Sequence, residues 1–276
     1  YYWSHAFLSL DWYRFAKYDK NLQLSSNTNA KKFLVYCLGK TGTRKYRKNF
    51  LKKLQQSSVF NFCQLGSFSG RGQEVSSDSS SEYNAYDICN TDISIVLETV
   101  VDRIHLTEKT CRALATGHPF ILLSAPGSLS LLKNYGFKTF SPWIDESYDQ
   151  EHNLDKRCQA VIKSMTNYCN LSQAEQNRIL TKCREIASFN RQHFFSENFN
   201  LRLRNELKTN IQKAYEQIES DLFDIDRFYR YKKYCEDTNQ LPTKIHKQQI
   251  WNSTLCFFDH LKKGGTLENY VPPDAD

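Results

Sequence analysis

Methionine is nearly missing from this chain: Met165 is the single one in 276 residues. Position 1 is Tyr1, so the chain reads as a trimmed or internal piece, and targeting signals ahead of it stay open. Long apolar runs are missing as well. None approaches the roughly 18 residues of a membrane-spanning helix, so no span is expected. Tyr1 to Asp19 mixes His5, Asp11, Arg14 and Lys17 with its aromatics, which does not fit the uninterrupted apolar stretch of a signal peptide. No C-x-x-C pair occurs among the nine cysteines (Cys37, Cys63, Cys89, Cys111, Cys158, Cys169, Cys183, Cys235, Cys256). An odd, scattered set argues against a disulfide or zinc framework. It fits reduced, mostly buried thiols, and the expected location is the cytoplasm. The histidines do not cluster at metal-ligand spacing, and no metal is expected. Gly-x-Ser-x-Gly is absent, which leaves serine-hydrolase chemistry of that kind without support. A Walker A loop is absent too.

What is present is a globular composition with a basic balance. Hydrophobic residues make up 40% and aromatics 14%, enough for a substantial core. The net charge of +7 favours anionic partners such as nucleotides, nucleic acid or anionic glycans. A soluble protein that is merely basic fits the same number.

Three regions are expected. Residues 1–30 form an aromatic N-terminal arm, helical or extended, packed on the body. Residues 31–150 alternate apolar runs with helical patterns: strands at Phe33–Leu38, Val59–Leu65, Ile93–Leu97, Phe120–Leu123 and Phe137–Phe140, and helices at Arg44–Gln55, from Glu108, and at Leu129–Tyr135. That alternation predicts an α/β fold, a Rossmann-like parallel sheet with right-handed crossovers. Gly66–Ser81 is a long Gly/Ser-rich loop, of the kind that is functional or mobile. Residues 151–276 read as a helical C-terminal region. It opens with a capping box at Ser172 and Glu175 and continues through Leu201–Ile218, Arg227–Tyr234 and Ile250–Leu261. No internal repeat is found.

The segment from Thr91 to Gly127 carries the most chemistry. An apolar strand ends in Glu98, and ten positions later Glu108 and Lys109 open a helix. The C-terminal edge of an open α/β sheet is where phosphorylated ligands bind. A lysine at a helix N-terminus opposes the macrodipole, which an anion there would explain. A surface Glu-Lys pair is the plainer alternative. A second candidate is Gly39 to Arg47, which follows a strand, opens a helix, and offers backbone amides and the cations Arg44 and Arg47 to a pyrophosphate. A solvated basic helix start explains it equally. The third is Asp145-Glu146-Ser147-Tyr148-Asp149, either a general base or a helix cap. Arg202, Arg204, Lys208 and Arg227–Lys233 could form a nucleic-acid face, or simply a solvated helix surface.

Leu97-Glu98-Thr99, a short spacer, then His105-Leu106-Thr107-Glu108-Lys109 resembles the donor-binding motif of the fucosyltransferase family, Phe-Glu-Asn followed by Tyr-Val-Thr-Glu-Lys. Arg47-Lys48-Asn49-Phe50 resembles that family's Arg-Asn-x-Phe. The chain is also similar to uncharacterised glycosyltransferase-like proteins of tailed phages and bacteria. They share patterns such as Asp11-Trp12-Tyr13-Arg14-Phe15, Gly136-Phe137-Lys138-Thr139-Phe140 and Asp145-Glu146-Ser147-Tyr148-Asp149. The resemblance covers about residues 33–149 and implies a GT-B-type nucleotide-sugar domain acting without a metal. It places Arg47 and Lys109 on the donor diphosphate, Glu108 on ribose or sugar hydroxyls, and Glu98 in the same pocket. Thr99 and His105 stand where the family has Asn and Tyr. The family's acceptor domain, with its catalytic base, has no counterpart. Glu74, Asp78 and Asp145 are the carboxylates open to that role.

The expected activity is transfer of a sugar from a nucleotide-diphosphate sugar to an acceptor hydroxyl, on a glycan or on a modified base in phage DNA, with inversion. The alternative is a nucleotide- or nucleic-acid-binding interaction protein without catalysis.

Overall fold

The computed structural model describes residues 3–22, 31–37, 39–66, 81–214 and 263. Glu74 and Asp78, and the helices expected at Arg227–Tyr234 and Ile250–Leu261, lie outside the described residues. Two units divide the chain, Tyr1–Asn210 and Ile211–Asp276. The first holds the sheet.

Four strands form that sheet: β1 (Lys31–Val35), β2 (Cys63–Leu65), β3 (Thr91–Leu97) and β4 (Phe120–Leu123). All are parallel, in the order β2-β1-β3-β4. Phe33 lies opposite Cys63 on one side and Ile93 on the other, and Ile95 faces Ile121. Every residue of β4 is buried. A strand buried on both faces reads as a continuous apolar run, the pattern of a parallel sheet covered by helices. The crossovers carry α2 (Tyr46–Gln55), α3 (Ala85–Cys89) and α4 (Glu108–Thr116). From β1 the chain runs outward to β2, and from β3 it runs outward the opposite way to β4. Between β1 and β3 the loops therefore diverge, which makes that point the crevice of the open sheet. The expected Rossmann-like α/β fold followed by helices is present.

The N-terminal arm is α1 (Ser4–Trp12), and it belongs to the core. Trp3 is buried among Tyr135, Phe137 and Phe199, with ring centroids 5.2, 6.2 and 6.2 Å away. Its indole Nε1 donates to the Leu106 carbonyl at 2.8 Å. Beyond the sheet come α5 (Ser128–Asn134), α6 (Leu154–Cys169), α7 (Gln173–Phe194) and α8, which begins at residue 197. The capping box expected at Ser172 and Glu175 opens α7. α6 is capped by Asn153, whose Oδ1 accepts from the Lys156 amide at 3.1 Å.

Two expectations are corrected. Phe137–Phe140 is not a strand. Its main chain is served by side chains: the Lys138 amide donates to Asn190 Oδ1, Asn190 Nδ2 donates back to the Lys138 carbonyl, both at 2.8 Å, and the Phe140 amide donates to Glu146. With those groups satisfied, no neighbouring strand is needed. Of Val59–Leu65 only the last three residues pair, because Ser58–Phe62 coils into a 3-10 turn. α6 and α7 lie in the same unit as the sheet, and α7 is tied to β1 by a Lys32–Gln176 hydrogen bond and to β3 by the Arg184–Asp92 ion pair at 3.2 Å.

His118 closes the turn between α4 and β4. It is fully enclosed, with Nδ1 2.7 Å from Ser94 Oγ and Nε2 3.0 Å from the Thr91 carbonyl. A carbonyl only accepts, so Nε2 carries the proton and the serine hydroxyl donates to Nδ1. Burial pushes the His118 pKa down from 6.5 to about 4. Between those values the unfolded chain binds a proton that the folded chain refuses. This contribution is therefore whole above pH 6.5 and is lost as pH falls toward 4. Compared with His118→Gln by urea unfolding across that window, the wild type should lose about 3 kcal/mol more stability. A difference that stays constant with pH would refute this account.

Candidate functional site

The apolar run of β3 stops at Glu98, a carboxylate with no exposed surface. Four donors hold it. Oε1 accepts from the Thr107 amide at 2.9 Å and the Thr110 hydroxyl at 2.6 Å. Oε2 accepts from the Thr107 hydroxyl at 2.5 Å and the Thr99 amide at 3.3 Å. A buried charge is tolerable only when its lone pairs are met in this way. Thr107 is the N-cap of α4, and its hydroxyl oxygen faces the Lys109 amide at 3.5 Å. Glu98 thus ties the end of β3 to the first turn of α4, and its negative charge lies at the favourable end of the helix dipole.

Arg47 reaches the crevice from α2. It is 2% exposed, so its guanidinium is turned inward. Nη2 donates to the Leu97 carbonyl at 2.6 Å and the Glu98 carbonyl at 3.3 Å, and Nη1 donates to the Gly39 carbonyl at 3.4 Å. The Tyr46 hydroxyl also donates to the Glu98 carbonyl. Gly39 follows β1 and Leu97 ends β3, so one cation spans the point where the two loops part. The loop leaving β1 bends at Gly39 and Gly42, with φ of 62° and 56°. α2 starts at Tyr46 rather than Arg44, after a 3-10 turn at Gly42–Arg44. The Arg44 side chain folds back over Gly39, where an added Cβ would come within 3.0 Å of its Nη1.

Glu108 and Lys109 are the partly accessible members, with side chains 13% and 21% exposed. The Lys109 ammonium donates to Glu108 Oε1, to Thr99 Oγ1 at 3.1 Å and to Thr107 Oγ1 at 3.2 Å. Burial alone would raise the Glu108 pKa. The adjacent Lys109 charge and its hydrogen bond outweigh that and leave the carboxyl below its ordinary value. The helix dipole disfavours a cation here, and Glu108 offsets it. His105 lies on the same loop. Its ring meets that of His5 edge to face, with centroids 5.1 Å apart.

The acidic segment serves as a set of caps. Asp145 accepts from the Ser147 amide at 2.9 Å, and that bond with the Ser147 hydroxyl holds its pKa below the ordinary carboxylate value. Glu146 accepts from the Phe140 amide. Asp149 accepts from the Leu129 amide at the start of α5, at 3.2 and 3.3 Å, while burial pushes its pKa up to about 6. The structure therefore brings together Thr99, His105, Glu108, Lys109, Glu98 and Arg47, with Arg44 on the β1 side. Asp145 belongs to the α5 corner.

No family model matches the chain, and neither a curated protein nor a solved structure matches it. Among the described residues no cluster of His, Cys, Asp and Glu has the make-up to hold a metal ion, and no helix is long and apolar enough to cross a membrane.

Sequence reasoning missed one residue of the site, His5 on α1. Its Nδ1 lies 3.8 Å from Glu108 Oε2. The buried stripe Trp3, Ala6, Ser9 and Tyr13 was readable as the inner face of a helix. Nothing in that stripe says which loop it covers.

The four-donor cage makes Glu98 a structural residue as well as a site residue. Glu98→Ala leaves two threonine hydroxyls and an amide buried without an acceptor. It should cost about 3 kcal/mol or more in chemical denaturation, since removing one side of a buried charged network is among the most damaging changes. A loss below about 1 kcal/mol would show that the loop finds other partners.

Proposed function

We propose that the chain is a glycosyltransferase that takes a sugar from a nucleotide-diphosphate sugar. The observation that supports this most is the placement of Glu108 and Lys109 on the first turn of α4, beside the point where the loops after β1 and β3 diverge. That edge offers helix amides, the Lys109 ammonium and the partly exposed Lys40 and Arg44 to a diphosphate. In sugar transfer, negative charge grows on the leaving diphosphate while the sugar passes through an oxocarbenium-like state. Cations held in place before the reaction stabilise that charge without rearranging. In this reading Lys109 faces the diphosphate and Glu108 fixes the lysine. Arg47 and Glu98 hold the crevice from beneath, so the family role of Arg47 on the diphosphate passes to the more open cations. The acceptor is a hydroxyl of a glycan or of a modified DNA base, and the carry-over implies inversion without a metal.

The second reading is a nucleotide-binding protein without catalysis. It draws on the internal partners that Glu98, Glu108, Lys109 and Arg47 already have.

A thermal-shift panel of UDP, GDP, CDP, ADP and their sugar conjugates, on wild type and Lys109→Ala, separates these. One nucleotide family should stabilise the wild type, and Lys109→Ala should weaken that affinity about tenfold or more, as expected for a lost charge-assisted contact. No shift with any compound overturns the proposal. A donor that binds but is never cleaved moves the assignment to the non-catalytic reading.

A further inference from the structure

The glycosyltransferase reading lacks a base. Among the carboxylates described, Glu98 has both oxygens engaged, Glu108 holds Lys109 with Oε1, and Asp145 is held as a weak base by Ser147. The N-terminal helix brings one more group to the site.

We infer that His5 is the general base of the transfer step, with Glu108 as the residue that positions its ring. This rests on the reading above. Three observations carry it. His5 Nδ1 is buried and has no hydrogen-bond partner among the described residues, and it lies 3.8 Å from Glu108 Oε2, the oxygen that Lys109 leaves open. The His5 side chain is still 30% exposed although Nδ1 is buried, so its accessible surface lies on the remainder of the side chain. α1 is pinned on both sides of His5, by the Trp3 indole on the Leu106 carbonyl and by the Tyr13 hydroxyl on the Glu108 carbonyl at 3.2 Å. Nδ1–H directed at Glu108 leaves the lone pair on Nε2. A contact of this length tightens to a hydrogen bond when substrate closes the site, as catalytic pairs commonly do.

The step balances as follows. The acceptor O–H bond breaks and its proton goes to His5 Nε2. The acceptor oxygen forms its bond to the anomeric carbon. The anomeric C–O bond to the diphosphate breaks, and its electron pair stays on the diphosphate oxygen facing Lys109. The imidazolium then releases its proton to water. The step requires a neutral imidazole, and the surroundings of His5 favour that form. Burial lowers its pKa below 6.5, Glu108 and Glu98 raise it, and His105 and Lys109 lower it further, with a net downward result.

The test uses the full chain, UDP-, GDP-, CDP- and ADP-sugars, and release of nucleoside diphosphate with water as acceptor. His5→Gln should keep the donor-induced thermal shift, which also shows that it folds, while kcat falls about 10²- to 10⁴-fold. The acid limb of the wild-type pH profile, set below pH 6.5, should disappear with it. His5→Asn should repeat both results. If His5→Gln turns over within about threefold of wild type and keeps the same limb, the base assignment falls and the transferase reading stands. If the wild type neither binds nor cleaves any of the four donor classes, both fall together.

Discussion

A single buried carboxylate organises this unit. Glu98 lies at the end of the central strand, without solvent and with four donors around it. Burying such a charge costs several kcal/mol unless its surroundings compensate. The compensation comes from Thr107 and Thr110, so β3 and α4 are locked to one another. The main chain at the same residue receives Arg47 and Tyr46 from α2, which brings in the β1 side. α1 then docks on the loop so fixed, through the Leu106 and Glu108 carbonyls.

The sheet and the β3–α4–β4 unit were legible because local and global signals agree there. Phe120–Leu123 is a strand in the reading and in the molecule, and α4 starts at Glu108 behind a threonine cap. Phe137–Phe140 has the composition of a strand, but its partner is Asn190, 52 residues later, and no local pattern reports so distant an amide. The acidic stretch ahead of α6 read as either a general base or a helix cap, and its carboxylates accept from main-chain amides, as the cap reading has it. The motif residues of the site could be found from their spacing. That Arg47 turns inward and that His5 arrives from the other end of the chain could not, because both depend on how the helices pack over the sheet.

Charge tells a similar story at two scales. The chain as a whole is basic by seven units, yet the site itself is nearly compensated: lysine against glutamate, arginine against main-chain carbonyls, carboxylate against hydroxyls. Compensation of this kind fixes geometry in advance. Dipoles that are already aligned keep their positions without solvent to orient them.

Asp149 gives the sheet edge a direction. Its carboxylate lies on the first turn of α5, where the amides would otherwise face whatever approached the end of β4. That corner is therefore already occupied by an anion belonging to the protein itself. The partly exposed cations Lys40, Arg44 and Lys109 belong instead to the loops after β1 and β3. Along the same sheet edge, the side chains that meet the helix amides thus differ in charge, a carboxylate at α5 and a neutral threonine hydroxyl at α4.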